Sequence, residues 1–98
     1  MPKVYVVNNK VHDYSKAKRF GDLVNVTEGS VPIFKTDVVD KMVQDKLKHF
    51  TKDDYLLLSG PALLCIIASR IAFSKYDTVK FLIFDAKQQK YVARHLNK

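Results

Sequence analysis

The stretch YLLLSGPALLCIIASRIAFS, residues 55–74, decides the fold. Tyr55 to Leu58 form a short apolar run that stops at Ser59-Gly60-Pro61, and Ala62 to Ala68 then continue too long, and too rich in Ala and Leu, for a second strand. The pattern reads as strand, tight turn, helix. Pro61 stands at the first helical position, where its missing N–H costs nothing, and the helix extends to about Ser74. This helix is apolar nearly all round, so it needs cover on more than one side. The sheet supplies one side, and a neighbouring element or a partner chain the other, which makes a homo-oligomer through residues 61–74 one expectation.

Toward the C-terminus, Thr78 to Phe84 (TVKFLIF) reads as a strand, and the alternation from Lys90 to His95 reads as another. Only Asp85 to Gln89 separate them, and a connection that short requires an antiparallel hairpin. Toward the N-terminus, Thr51 to Asp54 form a polar link preceded by an amphipathic helix. Thr36 caps this helix, Asp37 and Asp40 lie in its first turns, and Lys46, Lys48 and His49 close it, the charge order that the helix dipole favours. Val39, Met42, Val43, Leu47 and Phe50 make its apolar stripe.

Val31 to Phe34 is a loop or short extension, following a strand at Leu23 to Val26 and a polar break at Thr27-Glu28-Gly29-Ser30. Before it, Asp13 caps one or two helical turns from Tyr14 to Phe20, which Gly21 ends in a left-handed conformation. Val4 to Val7 is the first strand, short and β-branched enough to be central and buried on both faces. Strands alternating with helices imply parallel pairing with right-handed crossovers. The expected architecture is therefore a single small α/β domain over residues 1–98: a mostly parallel sheet, helices packed on it, and a C-terminal antiparallel hairpin strand.

Composition agrees with one ordinary globular unit: 98 residues, 47% hydrophobic, 28% charged and few Gly or Pro. The lone Cys65 has no disulfide partner within the chain and lies in the most apolar segment, so it reads as a buried small hydrophobe in a reducing compartment. Met1-Pro2-Lys3 leads into only four apolar residues, too few for a signal peptide, and the longest uncharged run is too short and too broken to span a membrane. A cytoplasmic protein with no membrane partner is expected. The net charge of +7 draws polyanions, yet only Lys16-Ala17-Lys18-Arg19 is a dense cluster, and the basic residues are not interleaved with exposed aromatics in the manner of a single-strand binding surface. A solvated basic surface is the plainer reading.

In an open parallel sheet, ligands bind beyond the carboxyl ends of the strands, where loops and helix N-termini converge. Three polar loops meet that description: Asn8 to Ser15, Thr27 to Ser30, and Ser59-Gly60. Together they offer Asn8, His12, Tyr14, Arg19, Thr27, Glu28, Ser59 and Gly60 as candidate ligand-binding residues. Ser59-Gly60-Pro61-Ala62 can present N–H groups and a hydroxyl to an anion at a positive helix end. The competing reading is that Gly60 only permits a tight turn and Ser59 satisfies the backbone, since neither a Gly-x-Gly-x-x-Gly run nor a P-loop lysine is present. His12 is suited to proton exchange near neutral pH, but a solvent-exposed loop histidine is the plainer reading. Tyr14 can stack on a ring or simply pack on its helix.

Catalysis has weaker support. His12, His49 and His95 lie far apart without metal-ligand spacing, so no metal or cofactor is expected. Cys65 is expected to be buried, and no Gly-x-Ser-x-Gly elbow occurs, so no catalytic residue is assigned. Lys16, Lys18 and Arg19 are placed to meet phosphate, of a ligand or of nucleic acid, without a recognised nucleic-acid motif.

At His12-Asp13-Tyr14-Ser15, Arg19-Phe20-Gly21, Thr27-Glu28-Gly29 and Asp53-Asp54-Tyr55-Leu56-Leu57, the chain resembles small uncharacterised proteins of tailed bacteriophages, along most of its length. That family carries no assigned activity, so no functional residue transfers. The resemblance implies an early or accessory viral product acting in the host cytoplasm. Two functions follow from residues and resemblance together. One is a non-enzymatic accessory protein that binds a small phosphorylated, nucleotide-like ligand at the strand ends, sequestering a host signal. The other is an interaction protein that docks on a host protein or nucleic acid through its basic surface. An enzyme ranks third.

Overall fold

The computed structural model describes residues 1–10 and 12–98; Val11, inside the first polar loop, lies outside them. In chain order the elements are β1 (Lys3–Asn9), a 3-10 helix η1 (Ser15–Phe20), β2 (Asp22–Glu28), α1 (Thr36–Lys46), β3 (Tyr55–Leu57), α2 (Ala62–Lys75), β4 (Thr78–Asp85) and β5 (Lys90–Asn97). They build one five-stranded sheet in the order β2-β1-β3-β4-β5. The first four strands are parallel, and β5 returns antiparallel to β4, as the short hairpin connection requires. The radius of gyration, 12.6 Å, is that of one compact body of this length.

The strand order dictates which face each connection covers. From β1 the chain moves one way to β2, and then the opposite way, across β1, to β3 and on to β4. Keeping one crossover hand through that reversal places the first cover on one face and the next two on the other. Accordingly α1 and α2 share a face, closing over Tyr5, Val7, Leu56, Val79 and Phe81. η1 alone lies on the opposite face, its Ala17 packed with Val4, Val6, Leu57, Leu82 and Tyr91. Alternation along β1 feeds both cores, and Val4 to Val7 are all buried.

Several local details differ from expectation for identifiable reasons. η1 is a 3-10 helix whose cap is Tyr14, without a side-chain cap bond; Asp13 instead accepts the Ser15 N–H at 2.9 Å in a tight turn. Gly21 is nearly extended (φ 158°, ψ 178°) rather than helically left-handed, because the backbone there passes against the Pro2 carbonyl, which a Cβ would strike. Thr36 is the first residue of α1 rather than its cap, a position held by Lys35. Pro61 likewise caps α2 and does not open it.

α1 ends at Lys46, before the end of its apolar stripe, and Leu47 and Phe50 are buried in the turn beyond. That turn is fastened by Lys75 at the end of α2, whose ammonium donates to the carbonyls of Leu47 (3.0 Å), Lys48 (3.1 Å) and Phe50 (2.9 Å). Cys65 is half-buried rather than enclosed, and Ile66 is exposed, because the sheet and α1 cover only part of α2's apolar circumference.

Candidate functional site at the strand ends

β1 and β3 are neighbours whose following connections depart in opposite directions, so the crevice between their carboxyl ends is a topological switch point. Two of the three expected loops are shorter than the pattern suggested, because β1 runs to Asn9 and β2 to Glu28 in paired register. Asn8, Thr27 and Glu28 are therefore strand residues. Backbone pairing with a neighbour extended both strands beyond their apolar segments.

At the switch point the polar side chains bond chiefly to the backbone of the strand ends, and Asn8 also to Thr27. Asn8 is buried on β1 and donates its side-chain amide to the Thr27 hydroxyl (2.8 Å) and the Gly29 carbonyl (3.1 Å). Thr27 passes its own proton to the Val7 carbonyl at 2.7 Å. The Ser59 hydroxyl accepts the Asn8 N–H (3.0 Å) and donates to the Asn8 carbonyl (2.9 Å). After β3 has ended at Leu57, this side chain thus supplies one further rung against β1. The same carbonyl accepts the Tyr14 hydroxyl at 3.1 Å. Gly60 turns at φ 80°, and a Cβ there would sit 2.5 Å from that of Asn8, so only glycine fits.

Beside this network, on the η1 face, lies a cleft of about 330 Å³. His12, Asp13 and Tyr14 come from the loop after β1; Leu57, Leu58, Ser59 and Gly60 come from the end of β3 and its turn; Phe84 and Tyr91 come from the β4–β5 hairpin. The Phe84 and Tyr91 rings meet edge to face at 5.2 Å, and His12 stands over Tyr14 at 6.2 Å. Burial raises the pKa of the Tyr91 phenol, with the neighbouring Tyr14 and Asp13 adding to the effect. Asp13 is held below the usual carboxylate range, first by the Ser15 N–H. The cleft therefore combines aromatic and aliphatic walls with one fixed carboxylate and one exposed histidine at the rim.

Of the eight candidate residues, His12, Tyr14, Ser59 and Gly60 line the cleft. Asn8 and Thr27 support it from within the sheet through the hydrogen bonds above. Glu28 and Arg19 stand apart from it: Glu28 accepts from the Asn25 amide at 2.7 Å, and Arg19 donates to the Tyr91 carbonyl at 3.1 Å. The main omissions are Leu57, Leu58, Phe84 and Tyr91. Phe84 was within reach of sequence reasoning, as the last expected residue of a parallel strand; Tyr91 follows only once the hairpin register pairs it with Phe84.

The Ser59 proton is directed to a backbone carbonyl and not to a base. Burial raises the pKa of the Cys65 thiol, against the lowering effect of the Ser59 backbone to which it donates at 3.5 Å.

A family model described as Phage Pam3 gp32-like protein matches residues 2–98. No curated protein matches the chain, and no solved structure matches it either.

Proposed function

The chain belongs to the Phage Pam3 gp32-like family, and from that premise we propose that it is a non-enzymatic phage accessory protein that binds a small nucleotide-like ligand at the switch-point cleft. The single observation that carries this reading is the cleft's place and lining: three aromatic rings, Tyr14, Phe84 and Tyr91, at the one crevice where this topology gathers loops. Its volume of about 330 Å³ falls at the lower end of the range for small-ligand sites. The rings suit a flat heterocycle. No Lys or Arg lines the cleft, so a phosphate would lie outward, toward His12 and the Gly60 turn, where the first turn of α2 leaves N–H groups without intrahelical partners. In the host cytoplasm such a protein would act by sequestering a phosphorylated signal.

The test is calorimetry and thermal shift with matched nucleosides and nucleotides, using the chain and its Phe84→Ala variant. Phe84 is 44% exposed, so the variant should keep its fold. A ligand at about 100 times its Kd should stabilise the protein by about 2.7 kcal/mol. The variant should bind about two- to tenfold more weakly, as expected on losing one stacking ring. No stabilisation by any member of the panel refutes the reading. Equal affinity for nucleoside and nucleotide retains the ring and removes the phosphate.

A further inference from the structure

A second group of side chains lies at the opposite, amino end of the same sheet face. The strand register places Val4, Tyr55, Lys80 and His95 in one row across β1, β3, β4 and β5. Phe20, the last residue of η1, joins that row with its ring 5.4 Å from the ring of Tyr55. Lys80 holds its ammonium 5.3 Å over Tyr55, and Arg19 holds its guanidinium 4.4 Å over Phe20. Phe20, Tyr55 and Lys80 are half-buried; Arg19 and His95 are exposed. Cations and aromatics that are dispersed along the chain are thus interleaved in space.

None of these cations has a carboxylate partner. Among the described residues the ion pairs are Lys48–Asp45 and Arg70–Asp40, both away from this face. Rings therefore position Arg19 and Lys80 without neutralising them, as an anion-binding surface requires. We infer that the strip of Arg19, Phe20, Tyr55, Lys80 and His95 is a docking surface for single-stranded nucleic acid. The cations meet successive phosphates, and the outer plane of the Arg19 guanidinium offers a stacking surface to an unpaired base. Neighbouring strands are about 4.8 Å apart, so the row from Tyr55 to His95 forms a shallow track rather than a ridge for a groove. A duplex would offer the cations its phosphates but give Arg19 no base to stack on. An acidic peptide would likewise leave that plane unused.

Fluorescence anisotropy of the full chain with a labelled oligothymidylate of about 12 nucleotides, a duplex of equal length and an oligoglutamate tests the inference. The single strand should bind best, by about fivefold or more over the duplex, and affinity should fall steeply with salt. Lys80→Gln and Arg19→Gln together should weaken binding about tenfold and reduce the salt slope by about 0.7 for each phosphate that is no longer neutralised. Lys41→Gln with Lys46→Gln, on the opposite face, should change it less than about twofold. Because Arg19 also bonds the hairpin backbone, His95→Gln serves as a second variant; it sits at an exposed position and should by itself weaken binding measurably. No binding at low salt, equal losses from the α1 variants, or preference for the duplex or the oligoglutamate would each overturn the inference.

Discussion

The two faces of the sheet are built from the same strands but are covered very differently. Eleven residues of α1 and fourteen of α2 roof one face, while the other has only the six residues of η1. Under the helices lies the larger apolar core; under η1 lies a small one, with the aromatic cleft at one end and the cation strip at the other. The difference teaches that the openings on the η1 face are defined by the length of its cover and not by any motif.

The contrast in burial can be broken most directly by truncating one aromatic on each face. Phe50→Ala removes a ring that is 2% exposed and lies against Tyr5 and Tyr76, and should cost about 3–5 kcal/mol. Phe20→Ala, half-buried on the η1 face, should cost about 1–2 kcal/mol. Urea denaturation of both variants measures the difference, and equal losses would show that the two faces contribute alike. At the joint between strands, Gly60→Ala should cost about 2 kcal/mol or more, from its positive φ and the collision with Asn8. Ser59→Ala, which leaves the Asn8 backbone without its rung, should cost about 1–2 kcal/mol. If Gly60→Ala proved neutral, the turn would have to relax in a way that this packing forbids.

The smallest effect is on alkaline stability. Burial raises the pKa of Cys65 above its ordinary 9.0, and those of Tyr5 and Tyr91 above 10.0, with Asp54 adding to the shift of Tyr5. A raised pKa means that the folded state favours the neutral form. The corresponding stability is fully present below the unfolded values and is lost as pH climbs past them through the folded ones. Urea midpoints should therefore fall above about pH 9. Tyr91→Phe should remove the η1-face share of that fall while leaving the rest; an unchanged profile in the variant would assign the whole effect to the helix side.

Much of the fold was legible because periodicity and punctuation agreed. Residues 55–74 read as strand, turn and helix, and Asp85 to Gln89 left room only for a hairpin. The boundaries were less legible, since Asn8, Thr27 and Glu28 have turn-forming or polar character yet extend strands whose neighbours supply the pairing. The candidate site was half legible. Parallel order alone brings Tyr14, Ser59 and Gly60 to one edge, whereas the part of Phe84 and Tyr91 depends on a register that only the folded hairpin reveals. The cation strip was hidden for the same reason: Phe20, Tyr55 and Lys80 are distant in the chain and meet only through cross-strand neighbours.

The connection between β1 and β2 occupies residues 10–21, close to the shortest span that lets parallel neighbours be joined at all. Such a span has no slack for a helix the size of α1, so both openings on that face follow from chain length in a single linker. Lengthening it by about two helical turns, roughly seven residues, would let η1 grow into a roof. One insertion would then close the aromatic cleft and the cation strip together, without altering a residue of either.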